Sequence, residues 1–279
     1  MDLDKNDNGE KSVYQAAISG AEEILRKIGT VVPWGKRLLV KNDAFLEDKR
    51  YQKVLLDKIE FFVAEEELEE TAENLQSLFQ EQEEGREQVI LYKNIRNGNP
   101  TRLFLEVREE PYKFPFEIHL IPFYGHEFFP VEKSGSKGDT KEDFTYYMFP
   151  AEEYLALAFY EILKDLELIR DLSWYKEVYE MLCKQPADGR KVWEGLNRLL
   201  SQCPIPSLEG RLDTLVGYKE YGYMKKRWKS QSRRRKETYP QWESVISLMQ
   251  RFLTPIFEGI LKDEIFLGDW MPELGRYLD

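Results

Sequence analysis

Cysteine and histidine are nearly missing from this chain, which has two of each in 279 residues. With no CxxC pair, neither a disulfide framework nor a thiolate zinc site fits, and a reducing compartment is the simple expectation. Cys183 and Cys203 read as small core residues, and His119 and His126 as hydrogen-bonded structural histidines, too few for a ligand cluster. No stretch reaches the ~18 consecutive apolar residues of a membrane span, and the acidic N-terminus is unlike a signal peptide. These absences predict a cytoplasmic protein with no membrane contact. There is no P-loop, GxGxxG, HExxH or GxSxG, so none of those motif-borne chemistries is indicated. Net positive charge is lacking as well: the formal charge is -11, which argues against coating nucleic acid broadly and leaves local patches open.

Apolar and aromatic residues are plentiful. A hydrophobic share of 42% with 14% aromatics describes a folded chain, and its length suits two modest cores better than one. Ser12 caps a helix in which Tyr14, Ala17, Ile18, Ala21, Ile24, Leu25 and Ile28 recur at helical spacing before Gly29. Arg37 to Val40 reads as a short strand, with a turn or helix start at Asn42-Asp43. Glu65 to Glu84 reads as an acidic helix with the stripe Leu68, Ala72, Leu75 and Phe79, its charges a solvated face. Gln88 to Ile95 and Thr101 to Arg108 read as strands joined by the turn Arg96-Asn-Gly-Asn-Pro100. Lys133 to Asp139 reads as a flexible hairpin or loop tip and Phe144 to Phe149 as the last strand. From Pro150 the pattern turns helical, over Ala151 to Lys164, Leu168 to Cys183, Arg190 to Leu200 and Gln241 to Leu261. Gly268 to Pro272 reads as a turn anchored by Trp270. The expected fold class is therefore α+β, with a mixed-sheet domain over residues 1–149 and a helical domain over 150–279.

Two strands carry polar groups where apolar ones are expected. Leu55 to Val63 and Phe116 to Phe123 are dense in β-branched and aromatic residues. Residues two apart in a strand share a face, so Lys58, Glu60 and Phe62 lie together, with Ile59, Phe61 and Val63 opposite. Glu117 and His119 likewise share a face, away from Phe116, Ile118 and Leu120. A carboxylate inside an apolar strand is costly unless paired, hydrogen-bonded or metal-bound, which marks this as the candidate site.

The order of these pieces resembles the abortive-infection AbiEii group of nucleotidyltransferases, from about Ile24 to Tyr277. Leu38 to Leu46, Lys58-Ile-Glu-Phe-Phe62 and Phe116 to His119 correspond to that family's LLxGGTAL turn, DIDF strand and later acidic strand. Glu152 to Ala158, Arg170 to Tyr175 and Phe252 to Phe257 correspond to its EExLAxKLxAL helix, RDLYDLY segment and FLxPVL helix. The resemblance implies a nucleotidyltransferase-type mixed sheet followed by a helical domain. It also implies use of Mg²⁺ and an NTP, and a place in a toxin–antitoxin pair with a cognate antitoxin as partner. Glu60 and Glu117 then stand as metal ligands and catalytic groups with Lys58, and Lys41, Asn42, Arg170 and Asp171 fall on cofactor-binding positions.

The departures from that pattern fall on the chemistry. The family's first strand carboxylate is Lys58 here, and its two phosphate-approach glycines are Lys41 and Asn42. Its helical lysine is Ala158, and the second aspartate of its RDLYD is Trp174. Asp57 lies one residue out of register and faces away unless a bulge re-aims it. A Lys58 ammonium beside Glu60 and near Glu117 would occupy the space and neutralise the charge that a metal otherwise would. Against that, Glu60, Glu117 and His119 remain a possible one-metal set.

Tyr218 to Lys236 is the strongly basic block in this acidic chain, with Tyr221, Tyr223 and Trp228 interleaved. Lysine and arginine neutralise phosphates while aromatic rings stack on bases, so Lys225, Lys226, Arg227 and Lys229 are candidate contacts to RNA or tRNA. An acidic protein partner would suit the same charges, and the aromatics alone can serve as core anchors. Arg170-Asp171 is explained equally by a helix-to-helix salt bridge. Two functions follow. One is a transferase moving a nucleotide from NTP to an RNA or protein acceptor. The other is a pseudoenzyme, an inactive scaffold that binds nucleic acid or a partner through the 218–236 block or the central cleft.

Overall fold

The computed structural model describes residues 12–31, 33–43, 46, 55–80, 89–95, 101–124, 128–136 and 143–278. The Arg96 to Pro100 turn, His126 and the end of the acidic segment beyond residue 80 lie outside the described residues. The fold is α+β and divides into two compact units, Met1–Phe149 and Pro150–Asp279.

In the first unit, α1 (Val13–Gly29) begins with a capping box: the Ser12 hydroxyl accepts from the Gln15 amide, and the Gln15 side chain accepts from the Ser12 amide. A 3₁₀ turn at Trp34–Arg37 takes Arg37 out of the expected strand and leaves β1 with only Leu39–Val40. Then come β2 (Lys58–Ala64), α2 (Leu68–Leu78), β3 (Val89–Ile95), β4 (Thr101–Glu109), β5 (Tyr112–Phe123), β6 (Val131–Ser136) and β7 (Asp143–Met148). They form one mixed sheet of seven strands in the order β3-β4-β5-β2-β1-β7-β6. β2 runs parallel to β5 and antiparallel to β1, and β1 runs parallel to β7. A further expectation is corrected here: helix α2 stops at Leu78, with Phe79 as its cap, short of Glu84. Of the expected hairpin or loop tip, Lys133 to Ser136 pairs as β6 with β7, and residues 137–139 lie outside the described residues.

One face of this sheet carries the core. Ile59, Phe61 and Val63 of β2, Leu103, Leu105 and Val107 of β4, and Phe116, Ile118 and Leu120 of β5 pack with the apolar stripes of α1 and α2. The approach of α1 is close enough to require glycine: a Cβ on Gly20 would lie 2.5 Å from a Val107 methyl. The alternate residues of β2 and β5 face the other way, and the polar groups are there.

The second unit holds α3 (Ala151–Asp165), α4 (Ser173–Lys184), α5 (Gly189–Gln202), α6 (Glu209–Gly217), α7 (Gly222–Arg235) and α8 (Trp242–Lys262). It is not wholly helical. β8 (Ala187–Asp188), β9 (Asp269–Met271) and β10 (Arg276–Leu278) make a small antiparallel sheet, so the expected turn at Gly268 to Pro272 is a strand. Trp270 on β9 is fully buried against Phe252 and Tyr277 and donates its indole N–H to the Leu182 carbonyl at 2.8 Å. Both cysteines are exposed rather than core: each follows its helix's last buried turn, where the apolar stripe has ended.

Candidate functional site

The site is built by strand register. Lys58 pairs with Glu117 and Glu60 with His119 across the parallel β2–β5 ladder, and the register runs unbroken to Ala64 and Phe123. No bulge interrupts it, so Asp57 stays out of phase with Lys58 and Glu60, exposed at the head of the strand. The face predicted to be polar is therefore polar. It is also flanked by Arg102 of β4, the register partner of His119.

The side chains close into a charge cluster. Lys58 Nζ donates to Glu60 Oε1 at 2.9 Å, and Lys41 Nζ lies 3.4 Å from Glu60 Oε2. The His119 ring reaches both carboxylates: Nε2 is 2.6 Å from Glu117 Oε2, and Nδ1 is 3.8 Å from Glu60 Oε1. Burial pushes the Glu60 carboxyl up, yet the His119 ring and the Lys41 and Lys58 ammonium groups outweigh it. They hold the group well below the usual carboxylate range. The cluster is only partly sheltered: the side chains of Lys58 and Glu60 are 44% and 28% exposed, so water screens this pair.

Lys58 stands beside Glu60 as expected, and the arrangement differs from the expected one in two ways. Glu117 takes His119 rather than Lys58 as its partner. The second cation on Glu60 is Lys41, which the sequence placed on a cofactor-binding, phosphate-approach position. The signal for Lys41 was weak but real, since it follows directly on β1, which pairs with β2. Its backbone N–H donates to the Glu60 carbonyl at 2.9 Å, extending that pairing. That amide is therefore spent on the sheet.

Farther along the same face the polar strip gives way to phenylalanine. Phe62 is fully buried, with its ring 4.3 Å from Phe149, and Phe123 and Phe128 each lie within 5.4 Å of one another or of Phe149. Near the end of β1, Asp43 accepts from Lys133 of β6 at 2.6 Å and from the Tyr146 hydroxyl of β7 at 2.9 Å. Nothing in the sequence pattern brought those three residues together.

In the second unit, Asp171 spends both oxygens on its own surroundings. Oδ1 accepts from the Ser173 amide and the Gln231 side chain at 2.9 and 2.6 Å, and Oδ2 from Arg235 at 2.7 Å. Burial pushes its carboxyl up, but these donors and Arg235 bring it below the ordinary value. Arg170 is exposed. Its carbonyl, with those of Glu167 and Ile169, faces the Arg227 guanidinium, which donates to Glu167 at 2.6 Å. Lys225 is likewise committed, lying 2.7 Å from Glu243 and 3.3 Å from Glu220. Lys226 and Lys229 are exposed and make no hydrogen bond or ion pair among the described residues.

Mg²⁺ does not fit this donor set. A divalent ion needs carboxylate oxygens open to it, whereas each Glu60 oxygen already faces an ammonium group and Glu117 faces a histidine. Among the described residues no group of three or more His, Cys, Asp or Glu is placed to hold a metal ion. No helix among them is long and apolar enough to cross a membrane.

No family model matches the chain, and no curated protein matches it. Among solved structures it is similar to MenT4, a nucleotidyltransferase toxin of Mycobacterium tuberculosis H37Rv, with 11% identity, 91% of this chain and 86% of that chain covered, and a TM-score of 0.48. It is also similar to JHP933 of Helicobacter pylori, with 7% identity, 90% and 94% covered, and a TM-score of 0.44. The resemblance to AbiEii-type proteins thus stays with the segments quoted for it.

Proposed function

We propose that the first unit is a nucleotidyltransferase-type scaffold whose catalytic centre has become an internal ion cluster, and that the protein works by binding rather than by nucleotide transfer. The observation that supports this is the pair of ammonium groups on Glu60, with Lys58 standing where the AbiEii-type pattern has its first metal-binding carboxylate. A positive charge at that point repels a divalent ion and satisfies the carboxylate without it. The phosphate-approach positions agree, because Lys41 and Asn42 carry side chains there and the Lys41 amide is engaged. A binding role of this kind suits either an RNA or a cognate protein such as an antitoxin.

The test is a melting-temperature series with Mg²⁺, Mn²⁺ and each NTP. The unmodified protein is expected to show no metal-dependent rise. The double variant Lys41→Ala, Lys58→Asp removes both cations and restores a carboxylate pair, and it should gain such a rise, because metal then binds only the folded site. Stabilisation of the unmodified protein by Mg²⁺ with NTP would overturn this reading in favour of active transfer, with Glu60 and Glu117 as ligands and Lys58 on the phosphates.

A further inference from the structure

Helix α7 buries a narrow stripe. Met224, Trp228 and Gln231, at i, i+4 and i+7, are its buried residues. Gln231 accepts from the Leu172 amide and donates to Asp171, Trp228 donates to the Pro240 carbonyl, and Arg227 clamps the carbonyls of Glu167, Ile169 and Arg170. These contacts fix the rotation of the helix. At about 100° per residue, Lys226, Lys229 and Arg233 then fall within about 60° of one another on the side opposite that stripe. All three are exposed, and none has a hydrogen-bonding or ion-pair partner among the described residues. Their axial spacings are about 4.5 and 6 Å, a row of cations on a chain whose formal charge is -11.

A cleft of about 450 Å³ opens beside this row, lined by Trp228, Lys229, Arg233, Tyr239, Gln241 and Glu243 among others. Tyr239 is half-buried, with its ring 4.5 Å from that of Trp228. The cleft therefore joins two of the three free cations to an aromatic wall, which is the pairing that single-stranded nucleic acid uses: phosphates on cations, a base on a ring. At its rim, Gln241 is exposed and the half-exposed Glu243 carboxylate is ion-paired with Lys225 and also feels the nearby Lys229 ammonium. Such groups can hydrogen-bond a 2′-hydroxyl, which RNA has and DNA lacks.

We propose that the outward face of α7 binds single-stranded RNA, with Lys226, Lys229 and Arg233 on successive phosphates and one base in the adjoining cleft against Tyr239. This rests on the reading of the chain as a binding protein and gives that reading a surface and a partner. It also revises the expected contacts: Lys225 and Arg227 hold the unit together, and Arg233 takes their place on the ligand.

The experiment is fluorescence anisotropy with a labelled 12-nucleotide RNA of mixed sequence, titrated with the full chain over a salt series. The triple variant Lys226→Glu, Lys229→Glu, Arg233→Glu should lose at least tenfold in affinity. Its slope of log affinity against log salt should fall by about 2, since each lost single-strand phosphate contact removes about 0.7. A control of equal charge change, Lys184→Glu, Lys191→Glu, Lys262→Glu, should keep most of the affinity. Tyr239→Ala should weaken binding with the salt slope unchanged, which a purely electrostatic surface would not show. Absence of binding by the unmodified protein at low salt would overturn the proposal, as would equal losses in the control. Equal affinity for the matching DNA strand would overturn the assignment to RNA. Equal competition by polyglutamate would give the surface to an acidic protein instead. None of these outcomes bears on the metal test of the first unit, so the two readings fail separately.

Discussion

At the centre of the first unit's sheet, Lys41 and Lys58 both close on Glu60. On the outward side of α7 in the second unit, Lys226, Lys229 and Arg233 make no hydrogen bond or ion pair among the described residues, though Lys229 lies near enough to Glu243 to favour its carboxylate. Both places are rich in positive charge, and the difference lies in the counterion. In a parallel ladder the side chains two residues apart on one strand, and those of the paired strand, converge from fixed directions. Lys58 thus meets Glu60, and Glu117 meets His119, with little freedom to do otherwise. On a helix the row facing solvent has neighbours only at i±3 and i±4, and for Lys226 those positions are Tyr223, Lys229 and Ser230 on the outward side, with Gly222 and the buried stripe completing the turn. A committed cation contributes to the fold. An uncommitted one is available to a ligand.

Adjacent residues of α7 give the sharpest way to break this comparison. Arg227→Ala removes the guanidinium that holds the carbonyls of Glu167, Ile169 and Arg170, and bonds of this charged kind suggest a loss of about 2 kcal/mol. Lys226→Ala should stay within about 0.5 kcal/mol in urea unfolding. Equal losses in the two variants would erase the distinction between committed and free cations.

Next in size is Glu60→Ala, expected to cost about 1–2 kcal/mol because Lys41, only 16% exposed, then loses the Glu60 carboxylate. A cost near zero would mean that the Glu60 pairing contributes nothing to the fold. Asp171 offers a parallel within the second unit, since Asp171→Asn keeps the shape and removes the charge that Arg235 pairs with.

How much of this was legible in the sequence depends on whether a residue's environment is local. Period-2 alternation located the Lys58/Glu60 and Glu117/His119 face, because a strand's faces follow from its own sequence. The N-cap at Ser12 and the stripe of α1 were legible for the same reason. The Asp43–Lys133–Tyr146 contacts were not, because they join three segments far apart in the chain. Nor was the Lys41 contact to Glu60, which depends on β1 pairing with β2. The small second sheet was missed because two- and three-residue strands carry no periodicity to detect. Arg227 and Lys226 are indistinguishable as letters in a basic run. Only the rotation of α7, set by Met224, Trp228 and Gln231, separates them.

The smallest expected effect is also the most direct on the cluster itself. Lys58→Met removes one of two cations from Glu60, and with Lys58 44% exposed the loss of stability at neutral pH should be about 0.5–1 kcal/mol. Its pH dependence carries more information than its size. Glu60 titrates below its unfolded value of 4.5 in the native protein, so the folded state binds fewer protons than the unfolded state in acid. The resulting stability is fully present above about pH 4.5 and is lost as pH falls from there through the lowered folded value. Without Lys58, burial still pushes the carboxyl up, while only Lys41 and His119 oppose it. The folded and unfolded values then move closer, and the acid-side decline should become shallower as well as start from a lower plateau. Urea unfolding of both proteins from pH 7 to pH 3 measures this: the two stability curves should converge in acid. Parallel curves across that range would show that Lys58 contributes contact but no charge, and the cluster would then rest on Lys41 and His119 alone.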